Sequence, residues 1–135
     1  MEGKLYIVGV GPGNNDHMTF RAKQVIEESD TIVGYTTYVN LVQDLIEGKE
    51  VHSYAMTQEV ERAHQCIDLA KKGKIVSLVS SGDPGIYGMA GLIFEVLAES
   101  GWDPKSGLHV ELIPGVSALN SSASILGSPL MLSLI

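Results

Sequence analysis

The chain holds one cysteine, Cys66, so no internal disulfide forms, and no metal-binding spacing surrounds it. Its helical position predicts a small buried apolar residue rather than a reactive thiol. Basic residues are few: nine Lys and Arg stand against 16 Asp and Glu, for a net charge of −7. No basic cluster exists, which argues against nucleic acid as a direct partner. The one adjacent basic pair, Lys71-Lys72, falls at a predicted helix end and complements the dipole there. No apolar run reaches about 18 residues, so no membrane span is expected. No signal peptide is visible either, because the first apolar stretch is short and ends in glycines. A cytoplasmic location is the resulting expectation. The four histidines (His17, His52, His64 and His109) lack metal-ligand spacing and read as surface or boundary residues, so no metal is expected. Repeats and low-complexity tracts are absent.

What is present is a soluble-protein composition, 44% hydrophobic and 19% charged, in 135 residues, enough for one domain with a real core. Residues 1–135 read as a single α/β domain. Short apolar runs alternate with helical periodicity. Strands are predicted over 4–10, 31–34, 50–53, 74–80 and 108–113, and helices over 19–29, 37–47, 57–72, 85–99 and 116–126. Thr19 is the expected N-cap of the first helix, with Ala22, Val25, Ile26 and Ser29 on its buried face. The second carries Tyr38, Leu41, Val42 and Leu45 at helical spacing and stops at Gly48. The third has Val60, Ala63, Ile67 and Ala70 on one face and stops at Gly73. In the fourth, Gly88 and Gly91 would allow close backbone approach. This alternation predicts an open five-stranded parallel sheet with helices on both faces.

Three strands run into Gly/Pro turns: Gly9-Val10-Gly11-Pro12-Gly13, Ser81-Gly82-Asp83-Pro84-Gly85 and Pro114-Gly115-Val116-Ser117-Ala118. In an open α/β sheet, ligands sit beyond the carboxyl ends of the strands. An aspartate held in a Gly-Asp-Pro turn there is better explained by a ligand needing a fixed acceptor than by packing. The three turns are expected to converge on one sheet edge. The first is not a dinucleotide fingerprint: Gly9 and Gly11 fit, but Asn14 occupies the third glycine position. The second strand ends in Gly34, where a ribose-binding acid would be needed. No P-loop and no nucleophile elbow is present. Tyr35 and Tyr38 follow that second strand; they either line a large planar ligand or pack the helix start.

The three turns resemble the signature segments of the tetrapyrrole methylases, two-domain methyltransferases that use S-adenosylmethionine. Within that family, residues 33–39 (Val-Gly-Tyr-Thr-Thr-Tyr-Val), 56–63 (Met-Thr-Gln-Glu-Val-Glu-Arg-Ala) and 80–91 are similar to the ring-contracting precorrin-3B C(17)-methyltransferases of cobalamin biosynthesis. The likeness runs from residue 3 to about residue 130. It implies S-adenosylmethionine as methyl donor and precorrin-3B or cobalt-precorrin-3B as tetrapyrrole substrate. It also implies a homodimer, and a donor site lined by Pro12, Gly82, Asp83, Ile86, Ser117 and Ala118. Asp83 would accept hydrogen bonds from the donor or fix its own turn. Ser117, at a helix start, would help hold an anionic group. Arg21, Lys23 and Arg62 are the cations on offer to a polycarboxylate macrocycle. No catalytic acid or base is apparent.

Family members carry a second α/β domain of similar size, with the donor in the cleft between the two. This chain resembles the first domain only, so a half-length form is expected, with the C-terminal domain absent. By itself it is expected to bind the donor weakly and to self-associate, aided by the apolar tail Leu130–Ile135. Other readings stay open: another tetrapyrrole methylase acting on a different corrin carbon, a diphthine synthase-like enzyme, or a non-catalytic binding or assembly half of a split enzyme.

Overall fold

A computed structural model describes residues 3–11, 18–55, 58–80, 89–105 and 107–115. Five strands alternate with helices: β1 (Lys4–Gly9), α1 (Phe20–Glu28), β2 (Thr31–Tyr35), α2 (Thr36–Asn40), β3 (Glu50–Tyr54), α3 (Glu59–Lys71), β4 (Ile75–Ser80), α4 (Ala90–Glu99) and β5 (His109–Ile113). Every strand pairing is parallel, in the order β3-β2-β4-β1-β5. The predicted open parallel sheet is thus the observed one.

Strand alternation divides the core into two layers. Leu5, Ile7, Val33, Val76 and Leu78 face α3 and α4, where Ala63, Cys66, Ile67, Ala70, Ile93 and Leu97 meet them. Tyr6, Val8, Ile32 and Val79 face the other way, onto Ala22, Val25 and Ile26 of α1 and onto Val39 and Val42. Each fully buried aliphatic side chain contributes about 1.5–3 kcal/mol relative to exposure.

Helix α1 follows its sequence closely. The Ala22 amide donates to the Thr19 hydroxyl at 3.1 Å, and the four face residues are all buried. Ser29 belongs on that buried face because its hydroxyl is satisfied twice. It donates to the Val25 carbonyl at 2.6 Å and pairs with the Ser77 hydroxyl of β4 at 2.7 Å. Cys66 is buried as expected, and desolvation raises its thiol pKa above the ordinary value, which disfavours the thiolate.

Two local expectations fail. The helix foreseen over 37–47 is short: α2 ends at Asn40, and a 3-10 turn, Gln43–Leu45, follows. The Leu41 and Val42 amides bond to carbonyls three residues back, at 3.1 Å each. Thr, Val and Asn are poor helix formers, and burial of Val39, Val42 and Ile46 governs the segment instead. In α3 the buried stripe is Arg62, Ala63, Cys66, Ile67 and Ala70, while Val60, at its margin, is 53% exposed. At Gly91 a Cβ would meet open space, so no close approach within the chain accounts for that glycine. Gly88 and the helix foreseen over 116–126 lie outside the described residues.

Gly34 has a steric reason. A Cβ there would lie 2.8 Å from Val79 Cγ2 on β4 and 3.3 Å from Val39 Cγ2. The penultimate residue of β2 is therefore glycine, which lets α2 fold back onto β4. Among the described residues, no helix is long and apolar enough to cross a membrane.

Candidate active site at the carboxyl edge of the sheet

Strands β4, β1 and β5 lie side by side and run the same way, so their carboxyl ends share one edge. Gly9 registers with Ser80, and Val8 with Ile113. The Val10 amide extends the β1–β4 ladder, donating to the Ser80 carbonyl at 2.8 Å. At the usual strand spacing, the three chain exits fall within about 10 Å of one another. The described strand ends are thus brought to one side, while most residues of the three Gly/Pro turns expected to converge there lie outside the described residues.

At the first exit Gly11 takes φ +83°, a backbone conformation that L side chains rarely adopt. Pro12, Gly82, Asp83, Ile86, Ser117 and Ala118, the six residues expected to line the donor site, all lie outside the described residues, as does the Leu130–Ile135 tail. The strands that deliver them are described, and Val10, Ser80 and Ile113 at the three exits are all buried.

The two edges of the sheet differ in charge. At the amino edge, Glu50 meets Lys74 at 3.3 Å and His52 at 3.4 Å, and accepts from the Thr31 hydroxyl at 3.1 Å. The His52 ring, with Lys74 and Thr31, holds the Glu50 carboxyl below its ordinary pKa. Lys49 caps the Glu27 and Ser29 carbonyls at 2.8 and 2.6 Å. These contacts staple strand starts together and offer nothing to a ligand.

At the carboxyl edge the polar groups are of another kind. Tyr35 and Tyr54 end β2 and β3 as register partners. Tyr35 meets Tyr38 edge-to-face, 5.3 Å between ring centres, and the Thr36 hydroxyl donates to the Tyr54 carbonyl at 3.3 Å. Tyr38 also packs on the core beside α1, so it supports the α2 start as well as bordering the edge. Arg62, in the first turns of α3, lies over the Tyr54 ring at 5.7 Å. It donates to the Ala55 carbonyl at 3.1 Å. Of the three cations singled out from sequence, Arg21 is engaged elsewhere, bonded to Glu111 of β5 at 2.7 Å on the surface. Lys23 sits half-buried on α1. Only Arg62 joins the aromatic residues at the carboxyl edge. The sequence offers Arg62 as a cation but gives no sign of its burial.

Comparison with known proteins fits this geometry. Residues 4–134 match the family described as Tetrapyrrole (Corrin/Porphyrin) Methylases. The cobalt-factor III methyltransferase of Priestia megaterium is 52% identical over 131 residues, covering 97% of this chain and 24% of that protein. A Salmonella typhimurium protein named "Probable cobalt-factor III C(17)-methyltransferase" is 42% identical over 127 residues, covering 94% of this chain and 51% of its own length. Among solved structures, the methyltransferase CobJ superposes with a TM-score of 0.86 at 33% identity, over 96% of this chain and 53% of that one. The chain thus spans about a quarter to a half of the length of these relatives. The match to the family model over residues 4–134, with relatives up to 52% identical along nearly its whole length and the same fold in a solved methyltransferase, makes this chain a member of the tetrapyrrole methylase family.

Proposed function

We propose that this chain is the donor-binding half of an S-adenosylmethionine-dependent methyltransferase of cobalamin biosynthesis. The reaction is methylation of carbon 17 of precorrin-3B or cobalt-precorrin-3B, with ring contraction. The observation that carries the reading is that β1, β4 and β5, the strands that in sequence precede the three Gly/Pro segments 9–13, 81–85 and 114–118, are adjacent and parallel and end on one edge. Likeness to relatives named for cobalt-factor III methylation supports the substrate. A cytoplasmic location and a homodimer are part of the proposal; the family likeness and the absence of a spanning helix among the described residues support them.

The described edge fits an adenosyl ligand: it is apolar at Val10 and Ile113, and it lacks a side chain at Gly11. When bound, S-adenosylmethionine supplies an electrophilic methyl group on a sulfonium. The protein's task is then to hold donor and nucleophilic carbon in line and to keep water out. Small residues suit that task, because close backbone approach places amides rather than side chains against the ligand. Pro12, Gly82, Asp83, Ile86, Ser117 and Ala118 are assigned to the donor, with Asp83 as the acceptor.

Two measurements test the reading. In a protein carrying this chain with a C-terminal half like those of its relatives, incubation with donor and precorrin-3B or its cobalt form should add one methyl mass to the macrocycle. No mass gain with either macrocycle overturns the assignment. In the same protein Asp83→Ala should weaken donor binding by about 1–3 kcal/mol, the worth of a lost hydrogen bond to a buried polar partner. Unchanged affinity by calorimetry removes Asp83 from the site. Loss of folding in Asp83→Ala would show instead that the aspartate serves its own turn.

A further inference from the structure

Arg62 is anomalous. It is 5% exposed, and among the described residues no carboxylate pairs with it. A buried guanidinium is costly unless its charge and its N–H groups are matched. Among the described residues its acceptors are the Ala55 carbonyl at 3.1 Å and the Met89 thioether at 3.4 Å. Its Nε hydrogen is buried and has no acceptor among them. Within the described residues, two acceptors, one of them a weak sulfur, thus serve a group with five N–H donors. The Tyr54 ring offsets part of the charge.

Its position gives the anomaly direction. The carboxyl edge divides into two halves of different chemistry. The ends of β4, β1 and β5 carry glycine and proline turns. The ends of β2 and β3 carry tyrosines and this cation. Small residues suit close approach to a donor, whereas aromatic faces beside a guanidinium suit a flat ring system that bears carboxylates. Met89, the one weak partner, is an unbranched side chain that repacks readily. Displacing its sulfur would open an Nη to the same carboxylate that reaches Nε.

We propose that Arg62 anchors a carboxylate of the tetrapyrrole substrate, in a macrocycle subsite on the aromatic half of the edge bordered by Tyr35, Tyr38 and Tyr54. The inference rests on the tetrapyrrole reading above and adds to it where the macrocycle lies. The donor occupies the glycine half and does not touch Arg62.

The test uses the two-domain protein and three probes: uroporphyrin as a polycarboxylate tetrapyrrole, its methyl ester, and S-adenosylmethionine. Arg62→Gln should weaken uroporphyrin binding about thirtyfold or more, the loss typical of truncating one member of a buried charge pair. Donor affinity should stay within about twofold, because the cation lies off the donor half. Arg62→Lys should restore binding in part, since a point charge replaces a planar fork. The ester should bind the wild type as weakly as uroporphyrin binds Arg62→Gln. A folded Arg62→Gln protein with unchanged uroporphyrin affinity overturns the proposal, as does one that loses donor and macrocycle alike, the sign of a purely structural clamp. Should Arg62→Gln not fold, the wild-type comparison of acid and ester decides: equal affinity overturns the anchor. Wild-type protein that binds neither macrocycle overturns the tetrapyrrole reading itself, whereas binding that is indifferent to Arg62 overturns the anchor alone.

Discussion

Leu78→Ala should cost about 2–5 kcal/mol of unfolding free energy. Leu78 is 1% exposed in the central strand β4, registered between Ile7 of β1 and Val33 of β2, and it faces the layer made by α3 and α4. Neighbours on both sides are backbone-paired strands, so the site cannot collapse around the deleted methyl groups, and the cavity persists. Domain stabilities are about 5–15 kcal/mol, so the loss approaches a large fraction of the whole. Urea titration followed by circular dichroism measures it. Val51→Ala, on the edge strand β3 at 40% exposure, is the internal control and should stay within about 0.5 kcal/mol. Equal losses at the two positions would show that β4 is not the rigid centre of the sheet. Function should suffer with stability, because β4 delivers the segment carrying Gly82 and Asp83.

Gly34→Val should destabilise by about 1–3 kcal/mol despite raising strand propensity. The propensity scale spans only about 1 kcal/mol, and it measures fit to a pleated surface with room for the side chain. Here there is none: the first added carbon would sit 2.8 Å from Val79 Cγ2 and 3.1 Å from the Val79 carbonyl oxygen. The side-chain neighbour can rotate, but the carbonyl belongs to the β2–β4 ladder and cannot. Overpacking therefore wins. The measurement is again the urea midpoint, together with near-ultraviolet circular dichroism of Tyr35 and Tyr38, whose packing follows from the β2–α2 turn. A midpoint equal to or above wild type would mean that β4 and α2 yield at little cost.

Much of the fold was legible wherever local chemistry and tertiary packing agree. The Thr19 hydroxyl caps α1 because the cap is a local bond, and Gly73 stops α3 at φ +102° because the left-handed turn is a local conformation. The 37–47 segment was misread because its periodicity fits a helix while its Thr, Val and Asn content does not. Tertiary burial of Val39, Val42 and Ile46 then chose a short helix and a 3-10 turn. Val60 was assigned to the core on spacing alone, yet the buried stripe of α3 is shifted and takes Arg62 and Cys66 instead. No residue pattern announces that an arginine will be buried, because its enclosure depends on Tyr54, Ala55 and Met89, brought together from outside its own helix.

The sequence by itself determined the element types, the parallel sense of the sheet and the chemistry of the three turns. These follow from spacing, from helix-length connections that only parallel strands need, and from residue types such as Gly-Asp-Pro. Only the tertiary structure decided the order β3-β2-β4-β1-β5, which places β4, β1 and β5 together and leaves β2 and β3 on one flank. Strand order depends on which nonlocal pairings bury the most apolar surface from both faces, a sum over distant residues that no window of sequence contains. The same sum divides the carboxyl edge into a glycine half and an aromatic half, and on the aromatic half it buries the Arg62 guanidinium with few acceptors among the described residues.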